Sequence, residues 1–263
     1  THTNRKQGGY SMKNKDAGWG ASSIDKKKTP PPKVYVCMPS YDTMHTATCL
    51  SLIKLFDSMT ASGIKMNIST FKCPYVGYGR NILAALFLDS NYDYLLFVDA
   101  DVQFEPDAVA RMLVTKKDYI CTPYRKKTED ISVKYSVAFE DKNNINVEPF
   151  GIAKIAKGPA GLTLIHRRVF EKLMKLHPDL KIKHFNGIPK DVGDKYLFNF
   201  FDTDFDPKIG LWEGEDVRFC NLTKAAGFDM WANLNSEVVH YGTYGYAGKF
   251  GDSLTKKKNG SGL

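Results

Sequence analysis

Apolar residues along this 263-residue chain fall into short runs alternating with stretches of helical spacing. Lys33-Val-Tyr-Val-Cys-Met-Pro39 reads as a first strand. Ala47, Leu50, Ile53, Phe56 and Met59 form a stripe that predicts a helix over 46–60. Residues 64–71 read as a second strand, and Gly77-Tyr-Gly-Arg-Asn81 leads into a helix over 82–88. Leu95-Leu-Phe-Val98 has the length and composition of a strand buried on both faces. Glu105-Pro-Asp107 opens another helix, with proline and acidic residues in its first turn, and residues 119–123 form the next strand. This βαβαβαβ order predicts a parallel, doubly wound α/β sheet.

The pattern changes after residue 125. Val133, Tyr135, Val137 and Phe139 alternate with polar residues, which predicts a half-exposed antiparallel strand paired with residues 145–155. Gly158-Pro-Ala-Gly161 precedes a strand over 162–165 and a helix carrying Val169, Leu173 and Leu176. Residues 177–211, with Gly187, Pro189 and Gly193, read as a long loop, a length that is usually functional in a compact domain. Trp212-Glu-Gly-Glu-Asp216 introduces a helix through Ala226, and Glu237-Val-Val-His240 is a short final strand. Tyr241, Tyr244 and Tyr246, interspersed with glycines, suggest a mobile loop or a frayed end. One domain is expected over 33–248, with a nucleotide-binding half at 33–125 and an acceptor half at 126–248.

Charge narrows the function classes. The net charge is +8, but residues 1–33 carry +6 and residues 249–263 carry +3, which leaves the core at −1. The basicity belongs to two tails, 1–32 and 249–263, expected to be flexible, so a folded nucleic-acid face is not indicated and only the tails could contact polyanions. No segment approaches the roughly 18 apolar residues of a membrane span. Five scattered cysteines without a C-x-x-C pattern suit reduced thiols, and with no signal-peptide core in the first residues the chain reads as cytoplasmic.

Asp99 and Asp101 leave the sheet directly after the Leu95–Val98 strand, at the edge where open α/β sheets bind ligands. Two carboxylates at alternate positions can share a hard divalent cation; alone, they suit a turn or a helix cap equally well. Set in order with the motifs below, Asp99-Ala-Asp101 resembles the D-x-D motif of glycosyltransferases of the GT-A fold, close to the family 2 type, over roughly residues 33–245. That resemblance implies a doubly wound mixed α/β sheet with a smaller antiparallel acceptor-side sheet. It also implies that Asp99 positions ribose or metal-bound water while Asp101 ligates Mn²⁺ or Mg²⁺.

Further matches follow in chain order. Pro39-Ser-Tyr-Asp42 resembles the base-contact loop, with Tyr41 stacking on the base and Asp42 accepting a base N–H; the alternative is a strand-end turn. Arg80-Asn81 resembles the family's pair near the donor, with Arg80 on phosphate and Asn81 on the base or ribose, against a plain helix start. The second strand ends at Phe71 without the acidic residue many members use for the base. Gly158-Pro-Ala-Gly161 resembles the small-residue segment lining the sugar and acceptor pocket, with Gly161 against the donor; the alternative is a tight turn. Glu215-Asp216 resembles the Glu-Asp motif whose Asp is the general base of inverting members, against plain helix capping and dipole compensation; retaining members also carry an acidic residue here. Trp212 is either a platform for a sugar ring or core. His240 resembles the late histidine that adds a metal contact, and is otherwise structural.

The implied activity is metal-dependent transfer of a sugar from a nucleoside-diphosphate sugar to a hydroxyl of a glycan or protein-linked acceptor. Two alternatives stand beside it. One is a non-catalytic, glycosyltransferase-like glycan-binding or assembly module. The other is a sugar-phosphate nucleotidyltransferase, disfavoured because Met38-Pro-Ser-Tyr-Asp-Thr43 lacks glycine.

Overall fold

Alternation along the first strand sets the architecture. In β1 (Val34–Ser40), Val34, Val36 and Met38 face one apolar cluster while Tyr35 and Cys37 face another, so helices must cover both sides of the sheet. The computed structural model describes residues 30–128, 134–184 and 194–255, and from Pro31 onward the chain forms one unit. α1 (Thr46–Ala61), β2 (Met66–Lys72), α2 (Val76–Asp89), β3 (Tyr94–Val98), the short β4 (Val102–Phe104), α3 (Pro106–Val114) and β5 (Tyr119–Cys121) complete the first half. β6 (Val147–Glu148), β7 (Ile152–Ile155), β8 (Leu162–His166) and α4 (Arg167–Leu176) follow. The chain then forms β9 (Asp204–Asp206), β10 (Leu211–Glu213), α5 (Glu215–Ala225), β11 (Met230–Asn233), β12 (Glu237–Tyr241), β13 (Gly245–Lys249) and α6 (Phe250–Thr255).

The main sheet has eight strands in the order β2-β1-β3-β8-β5-β11-β7-β6. β1 pairs in parallel with β2 and β3, and β5 with β11. β8 runs antiparallel between β3 and β5, so the sheet is mixed. α1 and α3 pack on the face lined by Val36, Leu96 and Val98; α2, α4 and α5 cover the face lined by Cys37, Leu95 and Phe97. A smaller antiparallel sheet, β13-β12-β4, stands at the carboxyl edge, and β9 and β10 form a separate hairpin. The doubly wound mixed α/β sheet with a smaller antiparallel sheet is therefore present. No helix among the described residues is long and apolar enough to cross a membrane.

Several local expectations are corrected. On α1 the buried positions are Thr48, Ser51, Leu52, Leu55 and Met59, while Leu50 and Ile53 face outward. The helix is rotated because Thr48 and Ser51 are buried beside the apolar residues, and Ser51 accepts the Phe104 amide at 3.0 Å. Residues 134–139 make isolated bridges (Arg125 with Tyr135, Ala138 with Lys157) instead of a strand. Their aromatics turn to α6: Phe250 lies 4.9 Å from Tyr135 and 5.7 Å from Phe139, ring to ring. α6 thus belongs to the fold and shortens the expected basic tail, and the expected loop after His240 is instead the β12–β13 hairpin. The stretch 177–211 holds short 3-10 turns at Pro178–Leu180 and Asp194–Tyr196 and the strand β9. Val133, Gly187, Pro189, Gly193 and the tails 1–29 and 256–263 lie outside the described residues.

Candidate active site

The turn after β3 is held by its own backbone. Asp99 N–H donates to the Gly161 carbonyl at 2.9 Å. The carbonyls of Asp99, Ala100 and Asp101 accept from Val102 (3.3 Å), His45 (2.8 Å) and Tyr241 (2.8 Å). Each residue of the triplet is therefore tied to a different part of the fold, and β4 leaves it to pair with β12 rather than with the main sheet. The two carboxylates are aimed by this rigid turn, which is the preorganisation a charged site needs.

Asp99 meets a buried cation. Arg80, 2% exposed, donates from Nη2 to Asp99 Oδ1 at 2.7 Å and from Nε to Glu215 Oε1 at 3.4 Å, with its guanidinium 5.0 Å from the Phe97 ring centre. Burial pushes the Arg80 pKa down, but Asp99 and then Glu215 outweigh it and the value is raised. The guanidinium expected to meet donor phosphate is thus engaged between the two acidic motifs. Asn81 is also turned inward: it donates to Asn199 Oδ1 at 3.0 Å and to the Phe201 carbonyl at 2.9 Å, and accepts the Phe201 amide at 2.9 Å. Both side chains make these contacts because the first turns of α2 press against residues 199–201 and α5. Gly77 permits this approach, since a Cβ there would lie 2.8 Å from the Phe201 carbonyl oxygen.

Asp101 lies on the outer side of the turn. Lys127 Nζ pairs with its Oδ2, and His240 Nε2 stands 3.6 Å from its Oδ1. His240 Nδ1 is 3.0 Å from the Arg125 carbonyl, which can only accept, so in the neutral ring the hydrogen sits on Nδ1 and Nε2 carries a lone pair. Burial lowers the His240 pKa against the opposing pull of the Arg125 carbonyl and Asp101, which favours the neutral ring. Among the described residues, no three His, Cys, Asp or Glu side chains form a ready metal cluster. The donor set in place is Asp101 with His240.

Gly161 is required by this geometry. A Cβ there would lie 2.8 Å from Asp99 Cγ and would also collide with the Tyr124 hydroxyl. Tyr124 is buried, and its pKa is raised by burial and then by Asp99, with Asp216 and Asp101 adding to the effect. The three aspartates thus act on one phenol. Asp216, in the first turn of α5, accepts the Val217 amide at 2.8 Å. Burial, and then the Glu215 charge, raise its pKa. The same shift makes this carboxylate a stronger proton acceptor than a solvent-exposed aspartate.

A cleft of about 610 Å³ opens beside this constellation, lined by Pro39, Tyr41, His45, Asp99 and Asp101 among others. Asp42 is not part of the lining; it pairs with Lys72 at 2.6 Å on the surface. Trp212 is likewise absent from it. That ring is 68% exposed on the β9–β10 hairpin, 5.9 Å from Phe205, so it is neither core nor a wall of this cleft. Sequence reasoning overlooked His45, which accepts the Ala47 amide as the N-cap of α1 and stacks on Tyr241 at 3.7 Å. It also overlooked Tyr124 and Lys127. His45, immediately before the helical stripe at a capping position, was the only one of these with a readable signal.

No family model and no curated protein matches the chain. Among solved structures it is similar to A197 from STIV, with 21% identity, 80% of this chain and 85% of that chain covered, and a TM-score of 0.47. It is also similar to GalNAc-T7 with UDP, GalNAc and Mn²⁺, at 11% identity, 80% of this chain but only 44% of that chain, and a TM-score of 0.46. S. aureus TarS 1-349 in complex with UDP gives 15% identity, 78% and 56% coverage, and a TM-score of 0.36. At these values the architecture rests on the sheet order itself.

Proposed function

We propose that the chain is a glycosyltransferase that moves a sugar from a nucleoside-diphosphate sugar to an acceptor hydroxyl, metal-dependent and inverting, with Asp216 as base. The observation that carries this reading is the Asp99-Ala-Asp101 turn, locked at three carbonyls and opening on one cleft beside His240, with Arg80 linking it to the Glu215-Asp216 start of α5. Asp101 and His240 fit a divalent cation. A histidine whose far nitrogen is held by a carbonyl is oriented as metal-ligating histidines are, and a hard cation draws its remaining oxygens from phosphate and water. Bound there, the cation would supply neutralising charge to the leaving diphosphate.

The chain's own residues do the rest. Pro39 and Tyr41 on the β1 loop wall the cleft where the nucleotide would lie. Gly161 leaves space for the Asp99 carboxylate beside the Tyr124 hydroxyl. Asp216 takes the proton of the acceptor hydroxyl as that oxygen bonds to the anomeric carbon. The bond from that carbon to the diphosphate oxygen breaks, and its electron pair leaves with the nucleoside diphosphate. The test is a donor screen for nucleotide-sugar hydrolysis with Mn²⁺. Metal-dependent turnover is expected in the wild type and lost in Asp101→Ala; equal turnover in both would remove the D-x-D assignment.

A further inference from the structure

A second cleft lies against the first. It encloses about 580 Å³, within the range of small-molecule sites, roughly 300–1,000 Å³. Val76 lines both clefts, and Glu215, beside the base Asp216, lines the second. A hydroxyl held in the second cleft is therefore next to the first turn of α5. Of its lining, the donor reading uses only Asn81.

Its chemistry is distinctive. One side is aromatic: Tyr75, 76% exposed at the start of α2, and Tyr78. Flat apolar faces of this kind suit ligands with an apolar body and polar edges. The rest of the lining includes a fixed polar group. Asn81 donates to Asn199 (3.0 Å), Asn199 donates to Asp202 (2.7 Å), and Arg218 closes the chain on Asp202 at 3.2 Å. The Thr203 amide also donates to Asp202, at 2.8 Å. Carboxylates, an amide and a threonine face the space, and the nearby cation Arg218 is engaged by Asp202. Such a wall repels an anionic ligand and favours a neutral, hydroxyl-rich one.

The chain directly beyond the cleft extends the same character. Between Thr203 and Glu215 runs the β9–β10 hairpin, whose cross-strand pair Phe205 and Trp212 exposes two aromatic rings. Its end is anchored, because Glu213 accepts from Asn221 at 2.8 Å and pairs with Lys157. These two rings follow Thr203, a lining residue of the cleft, directly in the chain.

The geometry points to the second cleft as the acceptor subsite, built for a neutral saccharide whose ring lies on Tyr75 and whose hydroxyls meet Asn199, Asp202 and Thr203. The hairpin meets the next sugar unit. This rests on the transferase reading only for the word acceptor; the saccharide site itself is tested without any donor.

The full chain is passed over an array of neutral oligosaccharides, with Ser/Thr peptides as the competing arm. UDP and GDP binding with Mn²⁺ is measured on the same samples. Binding to at least one neutral saccharide is expected, reduced tenfold or more by Tyr75→Ala and by Asp202→Ala, and retained by Tyr75→Trp, which keeps a flat face. Nucleoside diphosphate binding and the melting temperature should be unchanged in the Tyr75 variants. Absence of saccharide binding, preference for peptides, or binding indifferent to Tyr75→Ala overturns the proposal. Loss of nucleotide binding or turnover with saccharide binding intact would instead remove the transferase reading and leave this site standing.

Discussion

Replacing Arg80 by methionine isolates the contact that joins the two acidic motifs. The guanidinium side chain is 3% exposed, while its partners Asp99 and Glu215 retain 23% and 18% of their side-chain surface. Removing one member of a buried ion pair costs about 3–5 kcal/mol, because the charge left behind has no compensation. The residual exposure of the carboxylates places this case at the lower end, at about 3 kcal/mol. For a chain slightly above 250 residues, about 2–4 °C accompanies each kcal/mol, so melting should fall by roughly 6–12 °C. Arg80→Lys should recover only part of it, since a compact ammonium cannot serve two carboxylates with a planar fork.

The assay is thermal unfolding, with Asp99→Asn added to complete a double-mutant cycle. If Arg80 acts through Asp99, the double variant should be more stable than the sum of the single losses implies, by roughly 0.5–3 kcal/mol. A melting temperature within about 2 °C of wild type for Arg80→Met, or strict additivity in the cycle, would refute a bridging role.

Gly161→Ala should displace the Asp99 carboxylate, lowering turnover without changing the net charge of the site; a crystal structure of the variant with Asp99 unmoved would contradict this. Asp216→Asn should reduce kcat by roughly 10²–10⁴, and the wild-type kcat/KM should fall as pH drops through a value above the ordinary carboxylate pKa of about 4. The same raised pKa means that the unfolded chain loses this proton first, so stability declines as pH rises past the unfolded value; Asp216→Asn should therefore melt higher at pH 7, as calorimetry would read. Lys127→Met should tighten Mn²⁺ binding measured by titration calorimetry, because Lys127 holds the Asp101 carboxylate that the cation needs.

What the sequence carried was the local grammar. The apolar runs at β1 and β3 and the proline-acid start of α3 placed the Asp99-Ala-Asp101 turn at the end of β3, because burial on both faces leaves a continuous hydrophobic signature. The antiparallel position of β8 was not legible, since a strand buried on both faces reads the same in either direction. Nor was the β9–β10 hairpin: its strands are three residues each and mostly exposed, so they carry no burial pattern. At the site, motif residues were found while their partners were missed. Lys127 and Tyr124 meet Asp101 and Gly161 only through tertiary folding, and nothing adjacent in the chain marks them.

The Arg80-Asn81 pair shows how two neighbouring motif residues come to hold different walls of the fold. Consecutive residues on a helix point about 100° apart, so two neighbours in sequence reach different walls. Arg80 reaches Asp99 and Glu215, whereas Asn81 reaches Asn199 and the backbone of Phe201. One turn of α2 therefore fixes the D-x-D turn, the start of α5 and the polar wall of the second cleft against one another. Two buried polar side chains held by five hydrogen bonds are costly to leave unpaired, which makes this junction specific as well as stable. If catalysis depends on the distance between donor and acceptor clefts, it depends on this turn, and Asn81→Ala should impair coupling between the clefts even though Asn81 touches neither the cation ligands nor Asp216.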